Sequence, residues 1–110
     1  MKYEIYQMKP EHVGLRFMNS KWFKLKGEKI TADKYTKVYE GDLDDNAFIY
    51  VEKKSCLEWI YQVFNLSRPE GFTGHSMSVS DVVVLDGKAY FCDSIGFTPL
   101  QDFYAVQEEA

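Results

Sequence analysis

The feature that most constrains the fold is a run of four apolar residues, Val82–Leu85, followed by Asp86-Gly87 and then Lys88–Cys92. An apolar run without alternation is typical of a strand that is buried on both faces. Asp-Gly is a favoured pair for a two-residue hairpin turn, because both residues tolerate a positive φ. The sequence therefore predicts a β-hairpin over Val82–Cys92, whose first strand needs packing partners on both sides of a sheet.

Two further strands and one long helix are predicted from composition and spacing. Tyr3–Gln7 and Tyr35–Glu40 have the aromatic and β-branched content of strands. Ser55–Asn65 is predicted as a helix, because Ser55 and Glu58 form the S-x-x-E capping box, in which each side chain bonds a free backbone N–H at the helix start. Its apolar residues recur at helical spacing and predict one buried face: Leu57, Ile60, Tyr61 and Phe64.

Two shorter helices are predicted before the second strand. Pro10 suits the first turn of a helix that would run to about Phe17. Asn19 and Ser20 are good N-cap residues for a helix that Gly27 would end.

The chain contains no linker, repeat or low-complexity block, and 110 residues correspond to one domain, 1–110. We therefore expect a single α+β domain, in which an antiparallel sheet carries the hairpin in its C-terminal half and two or three helices pack on the sheet. Residues 105–110 are expected to form a mobile tail. The conformation of residues 44–54 is not predicted.

The segment Gly74–Phe97 brings together side chains that a hydrolase uses. His75 could act as the base for a serine, with Asp81 or Asp93 as the orienting carboxylate; the candidate nucleophiles are Ser76, Ser78 and Ser80. However, the segment has no G-x-S-x-G nucleophile elbow, and adjacent residues of an extended segment point to opposite faces. A hydrolase is therefore a minor alternative, and no catalytic residue is predicted.

A structural interpretation accounts for more of these polar residues. Ser80-Asp81 stands just before the buried strand, and Asp93-Ser94 stands just after the hairpin. Short polar side chains at such positions accept hydrogen bonds from backbone N–H groups and shape turns. Gly96 would supply a bend. We therefore interpret these residues, together with the Asp86-Gly87 turn, as the framework of a sheet.

Metal and cofactor binding are not predicted. The two histidines, His12 and His75, and the two cysteines, Cys56 and Cys92, match no C-x-x-C or H-E-x-x-H spacing. Two thiols without an apolar signal segment at the N-terminus indicate a cytoplasmic protein with reduced cysteines. No apolar run reaches the roughly 20 residues that a membrane span needs, so no membrane contact is expected.

Charge is distributed unevenly along a chain whose net charge is −4: residues 1–37 carry +5 and residues 38–110 carry −9. The segment Lys21–Lys37 holds six lysines interleaved with aromatic rings, a combination that single-strand nucleic-acid binding uses. The isoelectric point of about 5.1 argues against that function, because such domains are usually basic.

The favoured function is non-enzymatic binding of another protein, through an exposed apolar patch centred on aromatics such as Trp22 or Phe103. Nucleic-acid binding through Lys21–Lys37 is the main alternative, and an acidic nucleic-acid mimic built on residues 38–110 is another. The candidate interaction residues are Lys21, Trp22, Lys24, Lys26, Lys34 and Phe103.

Several segments resemble the YodL-like domain family, and together they extend over nearly the whole chain. They are Tyr3–His12, Val38–Gly41, Phe64–Leu66, Arg68-Pro69, Ser76–Leu85 and Asp93–Phe97. The combination of S-x-S-V-S-D-V-V with D-S-x-G-F is the most specific part. The resemblance implies a small domain, alone or within larger proteins, encoded by conjugative and other mobile elements of gut bacteria. It implies no activity and no catalytic set.

Overall fold

A computed structural model describes residues 2–15, 17–43, 53–66, 70–72, 74–101 and 103–104. In these residues the chain forms five strands and two α-helices: β1 (Lys2–Met8), α1 (Ser20–Lys26), β2 (Tyr35–Asp42), α2 (Lys53–Leu66), β3 (Val82–Leu85), β4 (Lys88–Cys92) and β5 (Phe97–Leu100). The predicted α+β class is confirmed. The expected mobile tail, residues 105–110, and most of the segment 44–54 lie outside the described residues.

All neighbouring strands are antiparallel, in the order β2-β1-β3-β4-β5. β3 lies at the centre, where Val83 faces Ile5 of β1 on one side and Tyr90 of β4 on the other. No side chain of β3 is more than 3% exposed, which confirms the prediction of a doubly buried strand. The sheet therefore needs cover on both of its faces.

The first face is covered by α2. Leu57, Ile60 and Phe64 pack against Ile5 and Val83 in one cluster, and none of the three helix residues is more than 2% exposed.

Two details of the α2 prediction are wrong. The helix begins at Lys53, so Ser55 lies inside its first turn and is not the N-cap of a capping box with Glu58. Lysines propagate a helix well, and two of them precede Ser55. Tyr61, predicted on the buried face, is 37% exposed, because it lies at the margin of the helix face that contacts the sheet.

The second face is covered by α1, by 3₁₀ turns at Pro10–Leu15 and Ala32–Lys34, and by Phe103. The predicted ends of α1 are confirmed: Asn19 Oδ1 accepts from the backbone N–H of Trp22 at 2.9 Å, and Gly27 adopts a left-handed φ of 69°. The helix predicted from Pro10 is a 3₁₀ turn with a kink at His12 instead.

β5 was not predicted. It pairs with β4 at one edge of the sheet, although Pro99 lies within it. Proline lacks a backbone N–H, but an edge strand has one side that needs no ladder partner, so the residue is tolerated there.

The hairpin turn generates the first testable prediction. Asp86 and Gly87 have φ values of 52° and 80°, as a primed turn requires. Gly87→Val is expected to lower the free energy of unfolding by about 1–3 kcal/mol, because a β-branched residue resists positive φ. The added Cβ would meet no atom within 4 Å, so this cost is conformational. Urea unfolding measures it.

Gly14→Ala is the matched control, because a Cβ at Gly14 also meets nothing within 4 Å and its φ lies outside the left-handed region. That variant should stay within about 0.5 kcal/mol of the parent. A Gly87→Val protein as stable as the parent would contradict the primed turn.

Candidate interaction cleft

The buried side chain of Gln7 binds the first part of the segment from Gly74 to Asp81 to the sheet, and the end of the segment is held by the Tyr35 hydroxyl, which donates to the Ser80 carbonyl at 2.6 Å, and by backbone bonds to Cys92. The side chain of Gln7 is buried; its Oε1 accepts from the backbone N–H of His75 at 3.0 Å, and its Nε2 donates to the His75 carbonyl at 2.8 Å. A Cβ at Gly74 would lie 2.1 Å from Gln7 Oε1, so the close approach requires glycine. Gln7 therefore takes the place of a strand partner for this segment.

Three of the residues weighed as parts of a catalytic triad, Asp81, His75 and Ser80, make hydrogen bonds within the fold. The Asp81 carboxylate accepts from Gln7 Nε2 at 3.1 Å and from the backbone N–H of Ser78 at 3.0 Å. His75 Nδ1 lies 2.6 Å from the carbonyl oxygen of Ser76. Ser80 Oγ accepts from the backbone N–H of Phe17 at 3.1 Å. These contacts join the segment to both faces of the sheet.

Asp93 connects three elements. Its carboxylate accepts from the backbone N–H of Ser20 at 3.1 Å and from that residue's hydroxyl, from the backbone N–H of Ser94 at 3.1 Å, and from the Thr98 hydroxyl at 2.6 Å. The start of α1, the end of β4 and the strand β5 therefore meet at one carboxylate. Partial burial acts to raise the pKa of Asp93, but the hydrogen bonds from Ser20, Thr98 and Ser94 outweigh it, so the pKa lies below its ordinary value.

A cleft of about 370 Å³ lies between α2 and the ends of β4 and β5, next to Asp93. A second cleft of about 360 Å³ lies beside it and shares Gly96 and Phe97 with it. The rings of Tyr61 and Phe97 stand edge to face with their centres 6.5 Å apart. Together we call the two the α2–β5 cleft, whose lining residues are Leu57, Glu58, Tyr61, Gln62, Val79, Tyr90, Cys92, Asp93, Ser94, Ile95, Gly96, Phe97 and Pro99.

The α2–β5 cleft has an apolar rim and two acidic residues in its lining. Ile95 is 92% exposed at the tip of the loop between β4 and β5, and Tyr61 is 37% exposed on α2. The charged side chains among the lining residues are Glu58 and Asp93, both acidic.

The thiol in the cleft is not prepared for nucleophilic chemistry. Burial, together with the negative charges of Asp81 and Asp93, raises the pKa of Cys92 to about 12. Burial also raises the pKa of Cys56, which is fully buried under the sheet. Both thiols are therefore protonated at neutral pH, and the thiol is a weak nucleophile.

The sequence-predicted interaction residues are divided between surface and core. Lys21, Lys24 and Lys26 are exposed on α1. Lys34 donates to the carbonyl of Lys29 at 2.6 Å and pairs with Glu28 at 3.4 Å. The helix α1 packs on the second face of the sheet, and its first residue, Ser20, bonds to Asp93 at the edge of the α2–β5 cleft.

The prediction that Phe103 centres an exposed patch is wrong, because Phe103 is 1% exposed. Its ring packs between those of Tyr6 and Tyr35, with centre distances of 5.3 and 5.4 Å. Trp22 is half-buried against the same cluster.

Sequence reasoning missed Tyr61 and Ile95 as surface residues. One signal was present for Ile95: an isoleucine between Ser94 and Gly96, in a turn where polar residues are usual.

Two further searches apply to the described residues alone. Within them, no group of three or more histidine, cysteine or acidic side chains is placed to hold a metal ion. No helix among them is long and apolar enough to cross a membrane.

Comparison with known proteins gives one match. A family model described as YodL-like domain matches residues 2–103. Neither the curated proteins nor the solved structures contain a significant match to the chain.

The Asp93 carboxylate generates the second prediction. Asp93→Asn should lower the free energy of unfolding at pH 7 by about 1–3 kcal/mol, because an amide cannot accept all four hydrogen bonds. A pKa below the ordinary value means that the carboxylate stabilises the fold fully above that value, and that this contribution disappears as pH falls through the folded pKa. The difference between parent and variant should therefore narrow on acidification below about pH 4, near the ordinary aspartate pKa.

Urea unfolding at several pH values checks both parts. Asp86→Asn is the matched control, because Asn-Gly also suits the primed turn and Asp86 is exposed. The free energy of unfolding of Asp86→Asn should equal that of the parent at pH 7, and the two should stay equal as the pH is lowered. If the free energies of unfolding of parent and Asp93→Asn differ by the same amount at acidic pH as at pH 7, the stabilising role of the ionised Asp93 carboxylate is contradicted.

Proposed function

The chain belongs to the YodL-like domain family, and from this premise we propose that it is a non-enzymatic accessory module that binds a protein partner through the α2–β5 cleft. Family membership motivates a role in the biology of a mobile element, in the cytoplasm of the host. The cleft motivates the protein partner. The mobile-element role and the protein partner therefore rest on different observations.

The observation that carries the protein partner is a group of accessible apolar side chains at the margin of a cleft. Ile95 stands almost fully in solvent, and the rings of Tyr61 and Phe97 form the adjoining wall. Protein interfaces use aromatic and aliphatic side chains of this kind as anchors that enter the partner's surface. Covering a side chain like that of Ile95 contributes roughly 1.5–3 kcal/mol to association, before the costs of binding are subtracted.

The hydrogen bonds of the polar groups support a role without catalysis. A hydrolase needs a base within reach of a nucleophile and a carboxylate that orients the base. Asp81 accepts from Gln7 and Ser78, and His75 Nδ1 lies against a neighbouring carbonyl. The protonated thiol of Cys92 offers no substitute nucleophile.

An acidic mimic of nucleic acid receives less support than a protein-binding module. Such a mimic presents carboxylates on its surface, where a nucleic-acid-binding protein can reach them. Asp81 is 1% exposed, and the four acceptor positions of Asp93 are occupied by internal hydrogen bonds. Both carboxylates thus serve the fold, and the exposed ones, among them Glu40, Glu58, Glu70 and Asp86, lie on separate elements of the fold.

Affinity capture from cells that carry the host element tests the proposal. Ile95→Asp should abolish capture of a protein partner, since it puts a charge at the apolar rim without disturbing the core. Leu25→Asp is the matched control, because Leu25 is 76% exposed on α1, on the other face of the sheet. Capture should survive in the control and after nuclease treatment. If both variants lose capture of the partner equally, or if Ile95→Asp keeps it, the α2–β5 cleft is not the binding site.

Nucleic-acid binding is the second candidate, and one observation favours it. Lys21, Lys24 and Lys26 are exposed together on α1, next to Leu25, while Phe17 nearby is 59% exposed. Two observations weaken it. Trp22, the ring best suited to stack on a base, packs partly into the core. Lys37, further along the segment, forms ion pairs with Glu4 and Glu40 at 3.3 and 3.2 Å.

We expect little binding of a single-stranded oligonucleotide near physiological salt, measured by fluorescence anisotropy. If binding occurs through α1, its affinity must fall steeply with salt, because neutralised phosphates release counterions. Replacing Lys21, Lys24 and Lys26 with glutamine should then flatten the salt dependence by about one unit for each lost phosphate contact. If the parent binds the oligonucleotide tightly and the triple variant does not, nucleic-acid binding becomes the favoured function in place of protein binding.

A further inference from the structure

The α2–β5 cleft has a chemical character that narrows the partner. Both charged side chains that line it, Glu58 and Asp93, are acidic, and the rings of Tyr61 and Phe97 form its aromatic wall. Carboxylates beside ring faces are the surroundings that attract an organic cation. Phosphates and other anions are disfavoured by the same charges.

The two carboxylates contribute differently. Asp93 is held ionised at neutral pH, since its pKa lies below the ordinary value. Its acceptor positions are filled from Ser20, Ser94 and Thr98, so it acts on an incoming cation through its charge. Glu58 is exposed on α2 and can accept hydrogen bonds from a ligand directly. A cation in the cleft therefore meets one fixed charge and one accessible acceptor.

We infer that the partner inserts an arginine side chain into this cleft, with an apolar neighbour of that arginine resting against Ile95. This inference rests on the proposed function and names the chemistry of its partner. A guanidinium suits the site better than an ammonium, because its plane can lie against Tyr61 or Phe97 while its N–H groups donate in parallel to Glu58. The apolar extension, lined by Tyr90, Ile95 and Pro99, accommodates the neighbouring side chain.

The volume fits this assignment. Pockets that enclose a whole small molecule start at about 300 Å³. Each half of the cleft, at about 370 and 360 Å³, exceeds that size, so the cleft has room for an arginine side chain and for its apolar neighbour.

A titration of the ¹⁵N-labelled protein with short peptides tests the inference. The probes are acetyl-Leu-Arg-Leu-amide and two analogues in which lysine or citrulline replaces arginine; citrulline keeps the shape and removes the charge. Amide resonances of Glu58, Tyr61, Gly96 and Phe97 should shift in a saturable way with the arginine peptide at millimolar concentration. The lysine peptide should bind more weakly, and the citrulline peptide should shift the same resonances much less.

Variants separate charge from shape. Glu58→Gln should weaken arginine-peptide binding about three- to tenfold, the range expected for losing one cation contact in a partly desolvated site. Glu40→Gln is the matched control, because Glu40 is exposed on β2 at the opposite edge of the sheet. Its affinity for the arginine peptide should equal that of the parent.

Three results of the peptide titrations would overturn the inference. They are equal binding of the citrulline peptide, no effect of Glu58→Gln, and no saturable shifts at the cleft with arginine. If Ile95→Asp still abolishes capture of the protein partner, any of these would leave the proposed function standing with a neutral partner surface. Sedimentation gives the oligomeric state of the protein. If the protein self-associates and Glu58→Lys makes it monomeric, the cleft binds α1 lysines of a second copy, which would also overturn the inference.

Discussion

The double burial of β3 is the constraint on which the rest of the structure depends. Four apolar side chains in succession, two on each side of the sheet, must all leave water. α2 covers one side through Ile60 and Phe64. The other side is covered by short pieces from distant parts of the chain, including Phe23 of α1 and Phe103. The aromatic content follows from this, because large rings cover a sheet face with few residues.

Short pieces need polar connections, since none of them buries enough apolar surface to hold itself in place. Gln7, Asp81 and Asp93 supply these connections. Gln7 and Asp93 bond to backbone or hydroxyl groups of another segment, and Asp81 accepts from the amide of Gln7, so that the loops at one end of the sheet are connected to its strands. Low exposure strengthens such bonds, and it also makes each of these side chains costly to leave unpaired. The same arrangement forms one wall of the α2–β5 cleft, because the loop held by Asp93 carries Ile95 outward.

What could be predicted from the sequence is what local chemistry decides. The hairpin followed from an apolar run and an Asp-Gly pair, and the ends of α1 followed from Asn19 and Gly27. β5 escaped prediction because its four residues include a proline, which only its position at an edge permits.

Phe103 was predicted on the surface because Tyr6 and Tyr35, which bury its ring, are distant in sequence, and the residues next to Phe103 give no sign of these contacts. The α2–β5 cleft was missed for the same reason: its lining residues come from three separate segments of the chain, and only the tertiary fold joins them.

The position of β1 has a consequence for how the domain is made on the ribosome. β1 lies between β2 and β3, so the first strand to be synthesised keeps one side unpaired until the last third of the chain has emerged. The apolar surfaces of Ile5 and Tyr3 stay exposed until their partners in β3, Val83 and Leu85, have been synthesised. An incomplete sheet of this kind offers an open edge to other chains. The nascent domain is therefore most vulnerable to misassociation after β2 has formed and before β3 arrives, and slow translation of that interval would lengthen the exposure.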